Sequence, residues 1–152
     1  MQLTAHTDYA LRVLIYLTMH TEKLVTITEL ADFFGISRNH LVKVVHKLGV
    51  KGFVRTVRGK GGGICLSRPA ADISVGKVVR EIEGHFQMAE CFNPKKQGQC
   101  AIQNGCGLIG VLGNALEQFL QTLDKTVLSD LVKAPMARNG IGSLDAAQRN
   151  PG

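Results

Sequence analysis

Apolar residues near the start of the chain recur at the spacing of one helix face. They are Tyr9, Ala10, Val13, Leu14 and Leu17. This period predicts a helix over residues 7–20. Asp8 falls in the first turn of that helix, where the positive end of the helix dipole stabilises a carboxylate.

The next segment has the pattern of two short helices around a tight turn. Thr26 and Glu29 have the spacing of a capping box, which predicts a helix ending near Phe34. Gly35 can adopt the left-handed conformation that the turn requires, and Ser37 is placed to cap the second helix. The apolar stripe of that second helix consists of Leu41, Val44, Val45 and Leu48. We interpret the pattern as a helix-turn-helix.

Two short stretches after this pair of helices have the character of β-strands. Residues 53–58 and 64–67 are joined by the glycine-rich sequence "GKGGG", which predicts a β-hairpin. A basic hairpin directly after a basic helix is typical of a winged helix-turn-helix. Ser74 begins a further short helix that Gly84 closes. The expected fold class is therefore mainly α, with a winged helix-turn-helix domain and a long dimerisation helix.

That long helix is predicted over residues 108–123, and its apolar residues occupy more than one face. No charged residue occurs from Gln97 to Leu116. A helix this apolar requires burial on several sides, and a matching helix in a two-fold dimer is the simplest partner.

These patterns predict four parts of the chain. A winged helix-turn-helix domain spans residues 1–84, and a cysteine-rich loop spans residues 85–107. Residues 108–133 hold the dimerisation helix and a short C-terminal helix. The tail at 134–152 is small, polar and without periodicity, so we expect it to be disordered.

Positive charge is concentrated in one part of the chain. The net charge is +6, but residues 33–70 contain eight Lys and Arg and no Asp or Glu. The remainder of the chain is therefore net negative. An acid-free basic segment of this length favours a polyanionic partner, and the helix-turn-helix makes that partner double-stranded DNA.

The expected DNA contacts follow from the usual placement of such a helix. Its first turn lies near base edges, where Arg38 can bind guanine and Asn39 can bind adenine. Later residues and the wing lie nearer the phosphates. The full set of candidate DNA-binding residues is Thr28, Ser37, Arg38, Asn39, His40, Lys43, Lys47, Arg58 and Lys60.

Three of the four cysteines fall close together, at Cys91, Cys100 and Cys106, in a loop rich in glycine. Three thiolates suit one face of an iron–sulfur cluster or a three-cysteine metal site. A redox disulfide and three free thiols are the alternatives from the residues alone. Zinc is disfavoured because its two-residue cysteine spacings do not occur. Cys65 belongs to the predicted wing and is better explained as a small apolar residue, although its role stays open.

Other classes of function have little support in the sequence. The cysteines lack a histidine in a recognisable nucleophile arrangement, His85 being the nearest candidate, and "GKGGG" lacks the spacing of a phosphate-binding loop. We therefore do not expect an enzyme. No apolar run approaches the length of a membrane span, and the N-terminus lacks the features of a signal peptide, so we expect a cytoplasmic protein without a membrane partner.

Five segments in this order resemble a known family. They are "MQLTAHTDYALRVLIYL", "GISRNHLVKVVHKL", "VRGKGGGICLSRPA", "ISVGKVVREIE" and "TVLSDLV". Together with the three cysteines after the wing, they make residues 1–133 similar to the iron–sulfur winged-helix repressors. That family includes nitric-oxide sensors and regulators of cluster biogenesis, and the start and recognition helix of this chain look most like the nitric-oxide sensors.

The resemblance implies a homodimeric repressor on a palindromic operator, with a cluster of two or four irons held by the three cysteines. It implies that the fourth ligand is Asp8 of the partner subunit. The cluster-biogenesis regulators instead use a histidine three residues after the last cysteine, where this chain has Ile109. Eight residues separate Cys91 from Cys100, which is long for the family. The implied signal is nitric oxide, with iron–sulfur supply or redox state as the alternative.

Overall fold

The structure, a computed structural model, describes residues 2–96 and 98–133. The predicted disordered tail at 134–152 lies outside the described residues. The helices and strands, in chain order, are α1 Ala5–Met19, α2 Ile27–Phe34, α3 Arg38–Val50, β1 Val54–Val57, β2 Gly63–Leu66, α4 Val75–Ile82, α5 Leu108–Asp124 and α6 Leu128–Lys133. Short 3₁₀ turns occur at Ala70–Asp72, Glu90–Phe92, Pro94–Lys96 and Gln103–Gly105.

The turn between α2 and α3 forms as its sequence predicts. Thr26 Oγ1 accepts a hydrogen bond from the Glu29 amide at 3.1 Å, and Ser37 Oγ accepts one from the His40 amide at 3.3 Å. Gly35 has φ +64°, a left-handed conformation that costs glycine little. Each cap satisfies an amide that would otherwise lack a partner, so the two helices begin where the sequence indicates.

The capping box at α2 is only half formed, because the Glu29 carboxylate is used elsewhere. Its Oε1 accepts hydrogen bonds from Lys23 Nζ at 2.6 Å and from Tyr16 Oη at 2.8 Å. The bond from Lys23, followed by that from Tyr16, lowers the pKa of the Glu29 carboxyl. Glu29 therefore joins α2 to α1 and to the intervening loop, which a local motif cannot reveal.

The wing is an antiparallel hairpin in which Val54 pairs with Leu66 and Val57 with Gly63. Val25, from the loop before α2, adds a bridge to the hairpin through two backbone hydrogen bonds with Ile64, of 3.0 and 2.8 Å. This bridge attaches the wing to the helix-turn-helix.

The core of the domain lies between α1, α3 and α4. The predicted stripe of α3 is buried as expected, since Leu41, Val44, Val45 and Leu48 are each at most 5% exposed. These side chains belong to one cluster with the apolar faces of α1 and α4. Helix α3 is thus anchored by its inner face and presents its outer face to solvent.

The end of α5 is held against the start of α4. Ser74 Oγ donates to the Asp124 carbonyl at 3.1 Å, and Arg80 Nη2 lies 2.7 Å from Asp124 Oδ2. Gly76 permits this approach, because a Cβ built there would lie 2.6 Å from the Asp124 backbone nitrogen and 2.8 Å from its Cα. The long helix α5 is therefore fixed to α4 at its C-terminal end.

We expect Gly76→Ala to destabilise the protein by about 1–3 kcal/mol, the usual cost of forcing an extra methyl group into a packed site. The clash is with backbone atoms, which cannot rotate away as a side chain can. Urea unfolding of the variant measures this. Gly49→Ala is the matched control, because its Cβ would meet only Val54 O at 4.0 Å. A Gly76→Ala variant as stable as Gly49→Ala would contradict the close packing of α4 and α5.

The N-terminal half of α5 does not share this packing. Leu120 is buried, whereas Leu108 is 58% and Val111 is 66% exposed. The predicted excess of apolar surface on this helix is therefore present in the single chain. Among the described residues, no helix has both the length and the apolar character needed to cross a membrane.

Candidate DNA-binding surface and cysteine loop

The first turn of α3 presents its polar side chains to solvent. Ser37, Arg38, Asn39 and His40 are all exposed, as is Lys43 one turn later. Within residues 2–96 and 98–133, the side chains of Arg38, Asn39 and Lys43 make no hydrogen bond or ion pair. These groups are therefore available to an external partner, and their donors match base edges and phosphates.

The tip of the wing carries exposed Arg58 and Lys60 on either side of Gly59, which has φ +100°, and Gly61 after them has φ +76°. Thr28, in the first turn of α2, is also exposed. The structure thus leaves these candidates accessible, and their contacts with DNA stay predictions.

Lys47 differs from the other candidates because its ammonium is already bound within the protein. Its Nζ donates to the Ile82 carbonyl at 2.7 Å, at the C-terminal end of α4. Cations at a helix C-terminus satisfy free carbonyls and interact favourably with the dipole. The predicted phosphate contact of Lys47 would require this bond to be released, which sequence spacing could not indicate.

The cysteine loop runs from the end of α4 to the start of α5 and contains three of the 3₁₀ turns. Cys91 and Cys106 are half-buried, and Cys100 is exposed. All four cysteines lie in the described part of the chain and are free thiols. The redox disulfide considered from the sequence is therefore not formed in this structure.

The chemistry of this donor set fits an iron–sulfur cluster, because thiolates are the usual ligands of such clusters and these three are unpaired and accessible. Within residues 2–96 and 98–133, however, no three Cys, His, Asp or Glu side chains are close enough together to hold a metal ion. A single chain thus supplies the ligand types for a cluster without gathering them.

Asp8 lies in the first turn of α1, as predicted, with its side chain 44% exposed. Its carboxylate is paired with Arg12, at 2.8 Å from Nη2 and 3.0 Å from Nε. The hydrogen bond to Asp8, followed by its charge, raises the pKa of the Arg12 guanidinium. Arg12 was not among the predicted site residues, although its spacing of four from Asp8 is the signal that identifies such a pair.

Cys65 and His85 lie outside the three-cysteine set. Cys65 sits in β2 opposite Arg55 and lines a cavity of about 230 Å³ beside Arg68. Cys65 thus lies in the wing, as predicted, and its role as a small apolar residue stays a prediction. His85 is exposed at the beginning of the cysteine loop.

Comparison with known proteins identifies the family. Residues 3–134 match the family Rrf2, described as an iron-dependent transcriptional regulator. The HTH-type transcriptional regulator NsrR of Bacillus subtilis is 48% identical over 134 residues, which cover 88% of this chain and 91% of that protein. NsrR of Bacillus licheniformis is 45% identical over 133 residues, covering 87% of this chain and 92% of that protein. These relatives are regulators, which confirms the expectation that the chain is not an enzyme.

Solved structures agree on the fold. The oxidised form of Staphylococcus aureus CymR is 24% identical with a TM-score of 0.70, covering 88% of this chain and 98% of that one. T. potens IscR is 22% identical with a TM-score of 0.69, covering 100% of this chain and 94% of that one. The predicted mainly helical, winged helix-turn-helix fold is confirmed. This chain belongs to the Rrf2 family of transcriptional regulators.

Proposed function

We propose that this protein is a cytoplasmic, homodimeric repressor of transcription that binds a palindromic operator and releases it in response to nitric oxide. Its similarity to regulators named NsrR supports the assignment. The observation that carries DNA binding is the exposed basic surface of α3 and the wing, in which Arg38, Lys43, Arg58 and Lys60 all face solvent. The three unpaired thiols of the cysteine loop, of which Cys100 is exposed, support the sensing function.

On the operator, the first turn of α3 enters the major groove. Arg38 donates two hydrogen bonds to guanine, and Asn39 pairs with adenine. Lys43 and the wing residues Arg58 and Lys60 contact phosphates or the minor groove. Base contacts give sequence preference, whereas phosphate contacts give affinity that depends on salt.

The homodimer uses the exposed N-terminal half of α5. Leu108 and Val111 present a contiguous apolar surface there that water solvates poorly. A two-fold axis across this surface pairs each helix with its copy and places two winged helices on one side of the dimer.

Val111→Glu is expected to convert the dimer to a monomer, because the new carboxylate would be buried without a partner in the interface. Sedimentation velocity measures the mass directly. Leu131→Glu is the matched control, since Leu131 is exposed but lies on α6, outside this surface. A Val111→Glu protein that remains dimeric would show that α5 is not the dimer interface.

The cluster would be held by Cys91, Cys100 and Cys106 of one subunit and Asp8 of the partner subunit. When bound, it supplies iron that reacts with nitric oxide. A carboxylate is a harder ligand than a thiolate and is bound less firmly by iron in such clusters, which suits a reactive position. The ligand set joins the cysteine loop of one subunit to α1 of the other.

The pair between Asp8 and Arg12 gives the carboxylate a second state. Without a cluster, Asp8 is held by the guanidinium of its own helix, at 2.8 Å. A ligand exchange between these two states changes how the subunits are connected while leaving α1 itself intact. This exchange is how loss of the cluster would alter the spacing or orientation of the two winged helix-turn-helix units.

A second candidate is a regulator of the same family that senses iron–sulfur supply or redox state. The exposed Cys100 thiol favours it, because accessible thiolates are also open to oxidation. The two candidates are separated by measuring operator binding after nitric oxide and, in parallel, after exposure to oxygen. Nitric oxide that abolishes binding while the oxygen-exposed protein stays active would favour the nitric-oxide sensor.

Anaerobic purification with iron and sulfide analysis, followed by selection from a pool of randomised duplexes, tests the proposal. We expect a coloured, iron-containing dimer that enriches a palindrome with half-sites about one helical turn apart. A colourless, iron-free protein that selects the same palindrome would contradict the sensor function while leaving DNA binding in place.

A further inference from the structure

The C-terminal end of α4 and the residue that follows it contact both α3 and α1, the helix that carries Asp8. We call residues 81–83 the junction. Glu81 and Ile82 face α3, and Glu83 faces the first turn of α1. The chain continues from the junction directly into the cysteine loop.

Glu83 is a buried carboxylate, only 9% exposed. Its Oε2 accepts hydrogen bonds from the Thr4 amide and the Thr4 hydroxyl, both at 3.1 Å, and from the Thr7 hydroxyl at 2.5 Å. Thr4 is the N-cap of α1 and Thr7 is fully buried. The carboxylate thus fixes the first turn of α1. Asp8 lies in that turn, directly after Thr7.

Helix α3 and the residue after it contact the same junction through two lysines. Lys47 Nζ donates to the Ile82 carbonyl at 2.7 Å, and Lys51 Nζ lies 2.7 Å from Glu81 Oε2. Lys51 lowers the pKa of the Glu81 carboxyl. Lys47 lies in the C-terminal half of α3, and Lys51 directly follows the last residue of that helix. Both are about 14 Å or more along the helix axis from Arg38, so a tilt at the junction is transmitted to the first turn of α3.

From these contacts we propose that Glu83 is a positioning residue that couples the cysteine loop to the DNA-reading end of α3. The proposal rests on the proposed function, in that the loop changes state with the cluster. Charge-assisted hydrogen bonds to a buried carboxylate are strong and directional, so α1, α3 and the loop move as one unit while they are intact. Without them, the loop can change while α3 keeps its orientation.

If Glu83 only stabilised the start of α1, its substitution would change stability but not the difference in DNA affinity between cluster states. The test therefore compares the DNA affinities of the two states. The cluster-loaded and cluster-free forms of each variant bind the selected palindrome in an anisotropy titration. In the parent, we expect affinities that differ at least about tenfold. In Glu83→Gln and in Thr7→Val we expect the ratio to fall below about threefold, with the iron content unchanged.

Matched controls separate coupling from general damage. Glu22→Gln changes an exposed carboxylate away from the junction, and Thr18→Val removes a hydroxyl that bonds only the Leu14 carbonyl of its own helix. Both are expected to keep the parent ratio. A parent-like ratio in Glu83→Gln and Thr7→Val would overturn the coupling role. Equal affinities of the two forms of the parent would instead overturn the proposed function.

A second measurement requires no cluster. In the cluster-free protein, Lys47→Met removes the contact of α3 with Ile82 but keeps an apolar side chain of similar length. We expect hydrogen exchange to become faster at residues 4–8 of α1, through Glu83, and this effect to be absent when Glu83→Gln is already present. Exchange at residues 4–8 that does not respond to Lys47→Met would overturn the proposal whatever the cluster does.

Discussion

Cys100→Ser is expected to reduce the iron content of the anaerobically purified protein to below roughly a tenth of that of the parent. Serine keeps the size of the side chain but replaces a soft thiolate by a hydroxyl that stays protonated and binds iron weakly. Cys100 is the most exposed of the three loop thiols, so the substitution does not disturb a packed core. Iron and sulfide analysis with visible absorbance measures the loss.

The control for this substitution is Cys65→Ser, which changes the fourth cysteine in the wing. We expect it to retain the iron and colour of the parent, because β2 is a separate element from the cysteine loop. Loss of iron in Cys65→Ser with retention in Cys100→Ser would contradict the assigned ligand set. Retention in both would show that the remaining thiols suffice.

Arg38→Ala is expected to cost about 1–3 kcal/mol in binding to the selected palindrome and to relax the preference at one base pair of each half-site. The side chain is exposed at the first position of α3 and makes no bond within the described residues, so the loss arises at the DNA. The unfolding free energy should therefore stay close to that of the parent.

Lys43→Ala is the matched comparison, one turn later on the same helix. It should weaken binding to all sequences alike and reduce the salt dependence by about one unit of slope, as expected for a lost phosphate contact. Titrations on palindrome and scrambled duplexes at several salt concentrations separate the two effects. If both variants bound the palindrome like the parent, α3 would not be the recognition helix.

Local features of the fold could be predicted because their causes lie within a few residues. The caps at Thr26 and Ser37, the left-handed Gly35 and the buried stripe of α3 depend on neighbouring backbone and on periodicity. The observed ends of elements differ slightly from the predicted ones. Helix α1, predicted over residues 7–20, begins at Ala5 because Thr4 rather than a later residue is its cap.

Contacts between distant segments could not be predicted in this way. Glu29 leaves its capping box for Tyr16 and Lys23, and Lys47 binds Ile82 although its position on α3 is typical of a phosphate contact. Glu83 meets Thr7 across 76 positions of the chain. Each choice depends on which helices pack together, which no single segment encodes.

The cysteine loop shows a different kind of limit. The sequence identifies its thiols and the resemblance supplies Asp8, but the ligands of one proposed cluster come from two subunits. A single chain accordingly exposes Cys100 and pairs Asp8 with Arg12. Under the proposed function, the geometry of the site would form only in the loaded dimer.

In the proposed function, the cluster controls DNA binding and nitric oxide acts through the cluster. The most direct test is an anaerobic anisotropy titration of the iron-loaded dimer on its palindrome, before and after stoichiometric nitric oxide. We predict a fall in affinity of at least about tenfold, in step with the loss of cluster absorbance. Unchanged affinity after the absorbance has gone would contradict the claim.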